Sequence, residues 1–432
     1  MKRKLINSFI ILTSSTLISK VFSLLNRMLL SRLLDESAMA LYILVIPTLS
    51  LCITLAQFSV PSAVFRLISH PKYNNKKVLI SSFSICFVTC LSIMIALLFF
   101  SKTISLYFLK QKEAYLPILS VIPFIPLVGI SGIIKNYYLG KEDVWHLSVA
   151  QFLEEVSRII FTYVMISQFS FLEMSYLVAI AFIAMSIGEL CSIVYLYLSL
   201  HHPCPLPTIT TIKENFILKD IMNIALQLTG SRLLHTCYNF IEPILLVNIL
   251  IYLGFSQEQV HLQYAILSGY VISLLLTPTF FNNVVLRLLV PILNKDYAYH
   301  HYTQMQKHIL YAVITCFLMS LPFTLIFYFF SEQCLSIMYN TTNGSIYLKY
   351  MSIPFTIFYL QTPLSATLQV LNKNKQMFFM SVLEVIIEFI CLILLIPIYH
   401  VLSVAIVMLI GLLTTLLLSV YFVYQYVYTK NE

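Results

Sequence analysis

The chain has 432 residues, 59% of them hydrophobic and 10% charged, with a formal net charge of +8. Burial saturates with size, so a soluble domain cannot hide that much apolar surface. Apolar runs of about 20 residues, enough to cross a hydrocarbon core of roughly 30 Å as a helix, recur along the whole length, and they predict an all-α polytopic membrane protein.

In chain order the pattern predicts twelve spans, at about 7–31, 38–69, 78–100, 115–139, 147–169, 173–200, 217–252, 262–293, 306–330, 345–371, 377–398 and 401–428. The opening MKRKLINSFIILTSS has the basic start and apolar run of a secretory signal. No A-x-A-like site follows, and the helical pattern continues through Lys20, so a retained first helix is expected. Spans two, seven and eight are too long for a straight crossing, and Pro47, Pro61, Pro243 and Pro278 are candidate kinks. The connection HHPCPLPTITTIKENF (201–216) holds Pro203, Pro205 and Pro207, which forbid a helix there. It separates an amino-terminal lobe, 1–200, from a carboxy-terminal lobe, 217–432, with six spans in each.

Lys and Arg, Lys135 among them, favour the side of the membrane that holds the amino terminus by roughly three to one, which predicts both termini in the cytoplasm and the chain in the plasma membrane. The net charge is then an orientation signal and not a nucleic-acid footprint. The nine cysteines form no CxxC pair, the histidines show no ligand spacing, and there is no P-loop. No metal centre and no use of ATP are expected, and the chain reads as a transporter rather than an enzyme.

The two lobes match in order. Tyr42 stands 24 residues before Arg66, and Tyr264 stands 23 before Arg287. The fourth span begins YLPILSVIPF and the tenth YLKYMSIPF; the fifth carries LEEVSR where the eleventh carries LEVIIE. An even number of spans per lobe gives the lobes one orientation, a parallel repeat about an axis along the membrane normal, and a central cavity between two six-helix bundles.

Charged residues inside the spans keep to single helical faces. Thr13, Thr16, Lys20, Ser23, Arg27 and Ser31 share one face of the first span. Such cations must meet protein or water rather than lipid; snorkelling to the interfaces is the competing account, plausible for Arg27 and poor for Lys20. In the seventh span Arg232, His235, Asn239 and Glu242 align, and in the fifth Gln151, Glu155, Arg158 and Thr162. Glu155 and Arg158 are also placed to pair with each other. The sixth span contributes Glu189. Glu384 and Glu388 lie one turn apart, which suits a shared proton or a bound cation, or else a cationic partner from a neighbouring helix. Arg66 and Arg287 sit near cytoplasmic ends, suited to anchoring or to gating an inner mouth. Cations in the first span of each lobe favour an anionic substrate, with phosphate or diphosphate head groups the natural class.

These segments, above all ISKVFSLLNRMLLSRLL, AQFSVPSAVFRLIS, IPFIPLVGISGIIKNYYLGKED and FIEPILLVNILIYLGFS, resemble the multidrug/oligosaccharidyl-lipid/polysaccharide exporter superfamily. Within it they are most similar to the stage V sporulation protein B family. The resemblance covers nearly the whole chain and rests on apolar, small and charged patterns rather than a catalytic signature. It implies an alternating-access flippase for an undecaprenyl-diphosphate-linked sugar of the lipid II kind, with Lys20 and Arg27 in cavity-lining places. The polar faces of the seventh and fifth spans add Arg232, Glu155 and Arg158 to the expected substrate-binding set. Related flippases carry an acidic residue after the second basic one, where this chain has Met28. Relatives also bind sodium between the seventh, eleventh and twelfth helices. Glu384, Glu388 and Glu242 are the matching coupling-ion candidates, for sodium or a proton, and no twelfth-helix ligand is placed. Relatives often have two further helices. A monomer in contact with membrane lipid is expected. A flippase for another lipid-linked polysaccharide, an ion-coupled exporter of organic cations and a membrane scaffold remain alternative readings.

Overall fold

The computed structural model describes residues 2–69, 73–199 and 215–428. All but the last two residues of the proline-rich connection at 201–216 lie outside the described residues. The described chain is helical throughout, with no strand. In a bilayer only helices or closed barrels satisfy every backbone N–H and C=O internally, and these sequences are long apolar runs.

Twelve helical rods correspond to the twelve expected spans. In the first half they are α1 (Lys2–Leu33), α2 and α3 (Glu36–Gln57 and Val60–Ile68), α4 (Asn75–Thr103), α5 and α6 (Tyr115–Ser120 and Phe124–Gly140), α7 (Val144–Gln168) and α8 (Met174–Leu198). In the second half α9 runs from Asn215 to Tyr252, and the next rod is built of α10 (Gln257–Tyr264), a π-helical stretch, α11 (Ile272–Leu275) and α12 (Thr279–Ala298). There follow α13 (Tyr302–Phe329), the short α14 (Ser331–Tyr339), α15 and α16 (Ser345–Ser352 and Thr356–Val370), α17 (Asn374–Tyr399) and α18 (Leu402–Val423).

Two of the three overlong spans are broken. The second is interrupted at Phe58 and Ser59, both at positive φ, with Pro61 in the first turn of α3. The eighth is interrupted before Thr279, where Pro278 caps α12. The seventh is one 38-residue helix that tolerates Pro243 inside it, as α2 tolerates Pro47.

The repeat seen in the sequence is present in the backbone. The fourth and tenth rods are each interrupted at an Ile-Pro-Phe, 122–124 and 353–355, where a proline cannot donate the next helical bond. Each then ends on a non-glycine residue at positive φ, Glu142 in one half and Asn372 in the other, before the next helix begins.

The helices group into two compact units, Met1–Phe240 and Ile241–Glu432. The division falls inside α9 and not at the connection 201–216. In the first unit α2, two-thirds buried over its apolar window, lies against α4, α6 and α8, while α4 is only 17% buried and shows Phe87, Leu98 and Phe99 outward. In the second unit α16 is the inner helix, packed on α12, α13 and α18, and α13 and α17 expose broad apolar faces. Such uninterrupted outward apolar surface is what acyl chains cover. The protein is a multi-pass membrane protein. Among the described residues eight helical stretches, α5 with α6 counted as one, are long and apolar enough to cross, and a bent pair makes up to nine. The helix α7 is not among them, because Glu154, Glu155 and Arg158 fall in its centre.

Candidate functional site

The charges of the first unit divide into two sets. One set is closed on itself. Three helices meet where α7 packs on α8 and α6 packs on α8. Gly188 permits the approach, since a Cβ there would stand 2.8 Å from the carbonyl oxygen of Glu154. At this junction Lys135 Nζ donates to Glu154 at 2.6 Å and to Glu189 at 2.9 Å. Arg158 donates to Glu154 at 2.7 Å and, at 3.4 Å, to Glu155. The side chains are between 8% and 15% exposed. A charge at that depth is tolerable only when paired and hydrogen-bonded, and here each cation meets two carboxylates. Lys135, counted in the sequence among cytoplasmic anchors, is instead an internal member of this network. The physical reason is tertiary: α7 and α8 bring it two carboxylates it could not have met in its own helix.

The other set is open. Lys20 is exposed on α1, and Arg27, two turns on, is half-buried near the Tyr42 hydroxyl. The helix α1 lies along α7, with Phe22 edge-on to Phe152 at 5.3 Å. Tyr42 stacks on Phe182 at 5.0 Å. Asn26, next to Arg27 in the chain, is 6% exposed with its amide oxygen unpaired among the described residues. On α9, Arg232 is exposed; one turn on, Thr236 donates to its carbonyl and meets Thr54 at 3.4 Å. Among the described residues Lys20, Arg27 and Arg232 have no carboxylate within ion-pairing distance. Arg66 is exposed in the last turn of α3. Arg287 lies in α12, its side chain outside the described residues. Near the start of α9, the Tyr73 hydroxyl donates to Asp220 at 3.0 Å, and that carboxylate pushes the Tyr73 phenol above its ordinary range.

The second unit holds an acidic cluster. Glu388 on α17 is 7% exposed and lies within electrostatic reach of Glu384 and of Glu242 on α9. Glu242 accepts a long hydrogen bond, 3.5 Å, from Tyr264. The carboxyl of Glu388 rests on Gly411 of α18, where any Cβ would collide with it. One turn further, Thr415 receives Gln361 Nε2 at 2.6 Å, and the same amide donates to Leu412 O at 2.7 Å. Thus the structure brings together Glu242, Glu384 and Glu388, which the sequence placed on two separate spans, and sets Gly411 of the twelfth rod against Glu388, with Thr415 one turn away bonded to Gln361. The only sequence signal for them is a small residue followed by two hydroxyls, GLLTT, in an otherwise apolar helix. Among the described residues no group of three or more His, Cys, Asp and Glu is arranged to hold a metal ion.

A model of the family described as polysaccharide biosynthesis protein matches residues 5–296, well over half of the chain. The chain belongs to the polysaccharide biosynthesis protein family. It is 26% identical over 383 residues to stage V sporulation protein B of Bacillus subtilis, covering 86% of this chain and 74% of that protein. It is 21% identical over 387 residues to sporulation protein YkvU of the same organism, covering 88% and 85%. Among solved structures it resembles a multidrug resistance MATE family transporter of the MOP superfamily in its inward-facing conformation, with TM-score 0.70, 14% identity and 95% of each chain covered. The outward-facing conformation of such a transporter matches with TM-score 0.69 and 14% identity, over 98% and 96% of the chains. A MOP superfamily transporter from Pyrococcus furiosus matches with TM-score 0.70, 14% identity and the same coverage. At these identities the structural likeness establishes the fold, which is that of the multidrug/oligosaccharidyl-lipid/polysaccharide exporters.

Proposed function

We propose that this member of the polysaccharide biosynthesis protein family is a flippase that moves a lipid-linked saccharide carried on a diphosphate from the inner to the outer leaflet. An undecaprenyl-diphosphate sugar of the lipid II type is the substrate class. The observation that carries the reading is the contrast between the two sets of cations. Lys135 and Arg158 are neutralised by carboxylates, whereas Lys20, Arg27 and Arg232, also within spans, keep their charge available. Cations left unmatched inside a membrane protein are costly unless something anionic meets them, and Lys and Arg bind phosphate oxygens through short charge-assisted bonds. A protein that exports organic cations has no use for such a set.

In this reading the diphosphate is drawn to Lys20, Arg27 and Arg232 and never contacts hydrocarbon, which removes the largest part of the barrier. The polyprenyl tail stays in lipid. Glu155 and Arg158 stand near the head group but act through their network, holding α7 in place. The chain passes between inward- and outward-facing states, as the fold does in its structural relatives. A bound ligand drives that passage only through differential affinity for the two states. The cluster of Glu242, Glu384 and Glu388 supplies it by taking up a sodium ion or a proton.

The test is translocation by the purified full chain in proteoliposomes. Lipid II is offered beside a second undecaprenyl-diphosphate sugar, with and without sodium and proton gradients. Accelerated flipping of at least one lipid is expected, lost in Lys20→Ala and Arg232→Ala. Absence of acceleration under every gradient, or full activity in both variants, would overturn the proposal.

A further inference from the structure

One end of α13 carries a cavity that the transport reading does not use. Its volume is about 350 Å³, and its lining includes Tyr328, Phe329, Glu332, Ile346, Lys349 and Tyr350. That size lies within the roughly 300–1,000 Å³ typical of small-molecule sites. Tyr328 and Phe329 close a 28-residue apolar helix of spanning length, so the cavity opens at a membrane–water boundary. Its frame is firmly held. The helices α13, α14 and α15 pack on one another, Leu335 and Leu348 are fully buried, and Tyr339 at the end of α14 stacks on Tyr270 at 4.6 Å. The turn into α15 is set by Gly344 at φ 92°, where a side chain would also strike Ile266.

Two opposite charges face this space. Lys349 Nζ stands 5.2 Å from the centroid of the Tyr328 ring, a cation–π arrangement that holds the ammonium in place. Glu332 lies across the lining in the first turn of α14. Among the described residues neither makes an ion pair, with the other or with any third group. Beside them Phe329, Phe330, Ile346 and Tyr350 are each more than half exposed and form an apolar flank.

We propose that this cavity binds the headgroup of a zwitterionic phospholipid, a phosphate diester carrying an ammonium group. The phosphate meets Lys349 and the Ser345 hydroxyl. The ammonium meets Glu332 and the faces of the tyrosine rings, which attract cations in the same way. The acyl chains lie along Phe329, Phe330 and Ile346. A purely anionic headgroup satisfies Lys349 but sets a second negative charge against Glu332, so the site discriminates between lipid classes.

Native mass spectrometry of the purified, delipidated chain tests this with phosphatidylethanolamine, phosphatidylglycerol and soluble glycerophosphoethanolamine as probes. The wild type should retain phosphatidylethanolamine about tenfold better than phosphatidylglycerol. Lys349→Gln should lower that retention at least fivefold, and Glu332→Gln should abolish the preference by admitting phosphatidylglycerol. Equal retention of the two lipids by the wild type, or unchanged retention in both variants, overturns the proposal. Displacement by equimolar glycerophosphoethanolamine overturns the assignment to a lipid. Should a charge variant fail to fold, Tyr350→Ala, at a 65% exposed side chain, tests the same cavity. A loss of at least threefold supports the site, and no change refutes it.

Discussion

Gly411→Ala gives the acidic cluster its sharpest test. A methyl group there would lie 2.7 Å from the Glu388 carboxyl carbon and 3.0 Å from its Cγ, where ordinary contact begins at 3.4 Å. The Glu388 side chain must therefore swing aside. Overpacking of this kind costs about 1–3 kcal/mol, while alanine in place of glycine within a helix restores about 1 kcal/mol. The net effect on unfolding is a loss between about 0 and 2 kcal/mol. In a Glu388→Ala background the obstacle is gone, so the same substitution should stabilise by about 1 kcal/mol. Thermal unfolding in detergent of the four proteins in this cycle should yield a coupling of about 1–3 kcal/mol between the two positions. In proteoliposomes Gly411→Ala should also cut stimulation by the driving ion gradient at least tenfold, because the displaced carboxyl no longer faces Glu384 and Glu242. Equal stability changes in both backgrounds would refute the contact. Unchanged ion stimulation would refute a role for Glu388 in coupling.

Lys135→Met should cost about 3–5 kcal/mol, read as a fall in thermal stability, because it leaves Glu189 buried without its cation and Glu154 with Arg158 alone; adding Glu189→Gln should recover part of the loss. Lys20→Ala, at an exposed position, should leave thermal stability unchanged and lower flipping of a diphosphate lipid at least tenfold; retained flipping would remove Lys20 from the path. Gln361→Leu breaks two short hydrogen bonds to α18 and should destabilise by about 1–3 kcal/mol, measured by the same unfolding assay.

Much of this protein is written locally. Hydrophobic runs fix the spans because each helix must satisfy its own backbone in lipid, and some prolines mark breaks because they cannot donate the next bond, although Pro47 and Pro243 sit inside unbroken helices. The matching Ile-Pro-Phe interruptions at 122–124 and 353–355 therefore reveal the repeat before any coordinates do. Helical periodicity likewise picks out the faces that carry Lys20, Arg27 and Arg232. Pairing is not local. A face drawn through Gln151, Glu155, Arg158 and Thr162 omits Glu154, yet Glu154 is the carboxylate that joins Lys135 to Arg158, because α6 approaches α7 on its side. The composition of the 201–216 connection suggests a boundary between units. Packing moves that boundary to Phe240, since the first half of a continuous α9 groups with the first unit. Which cations are already neutralised, and that Gly411 supports Glu388, depend on contacts between helices far apart in sequence; only the tertiary structure could decide them.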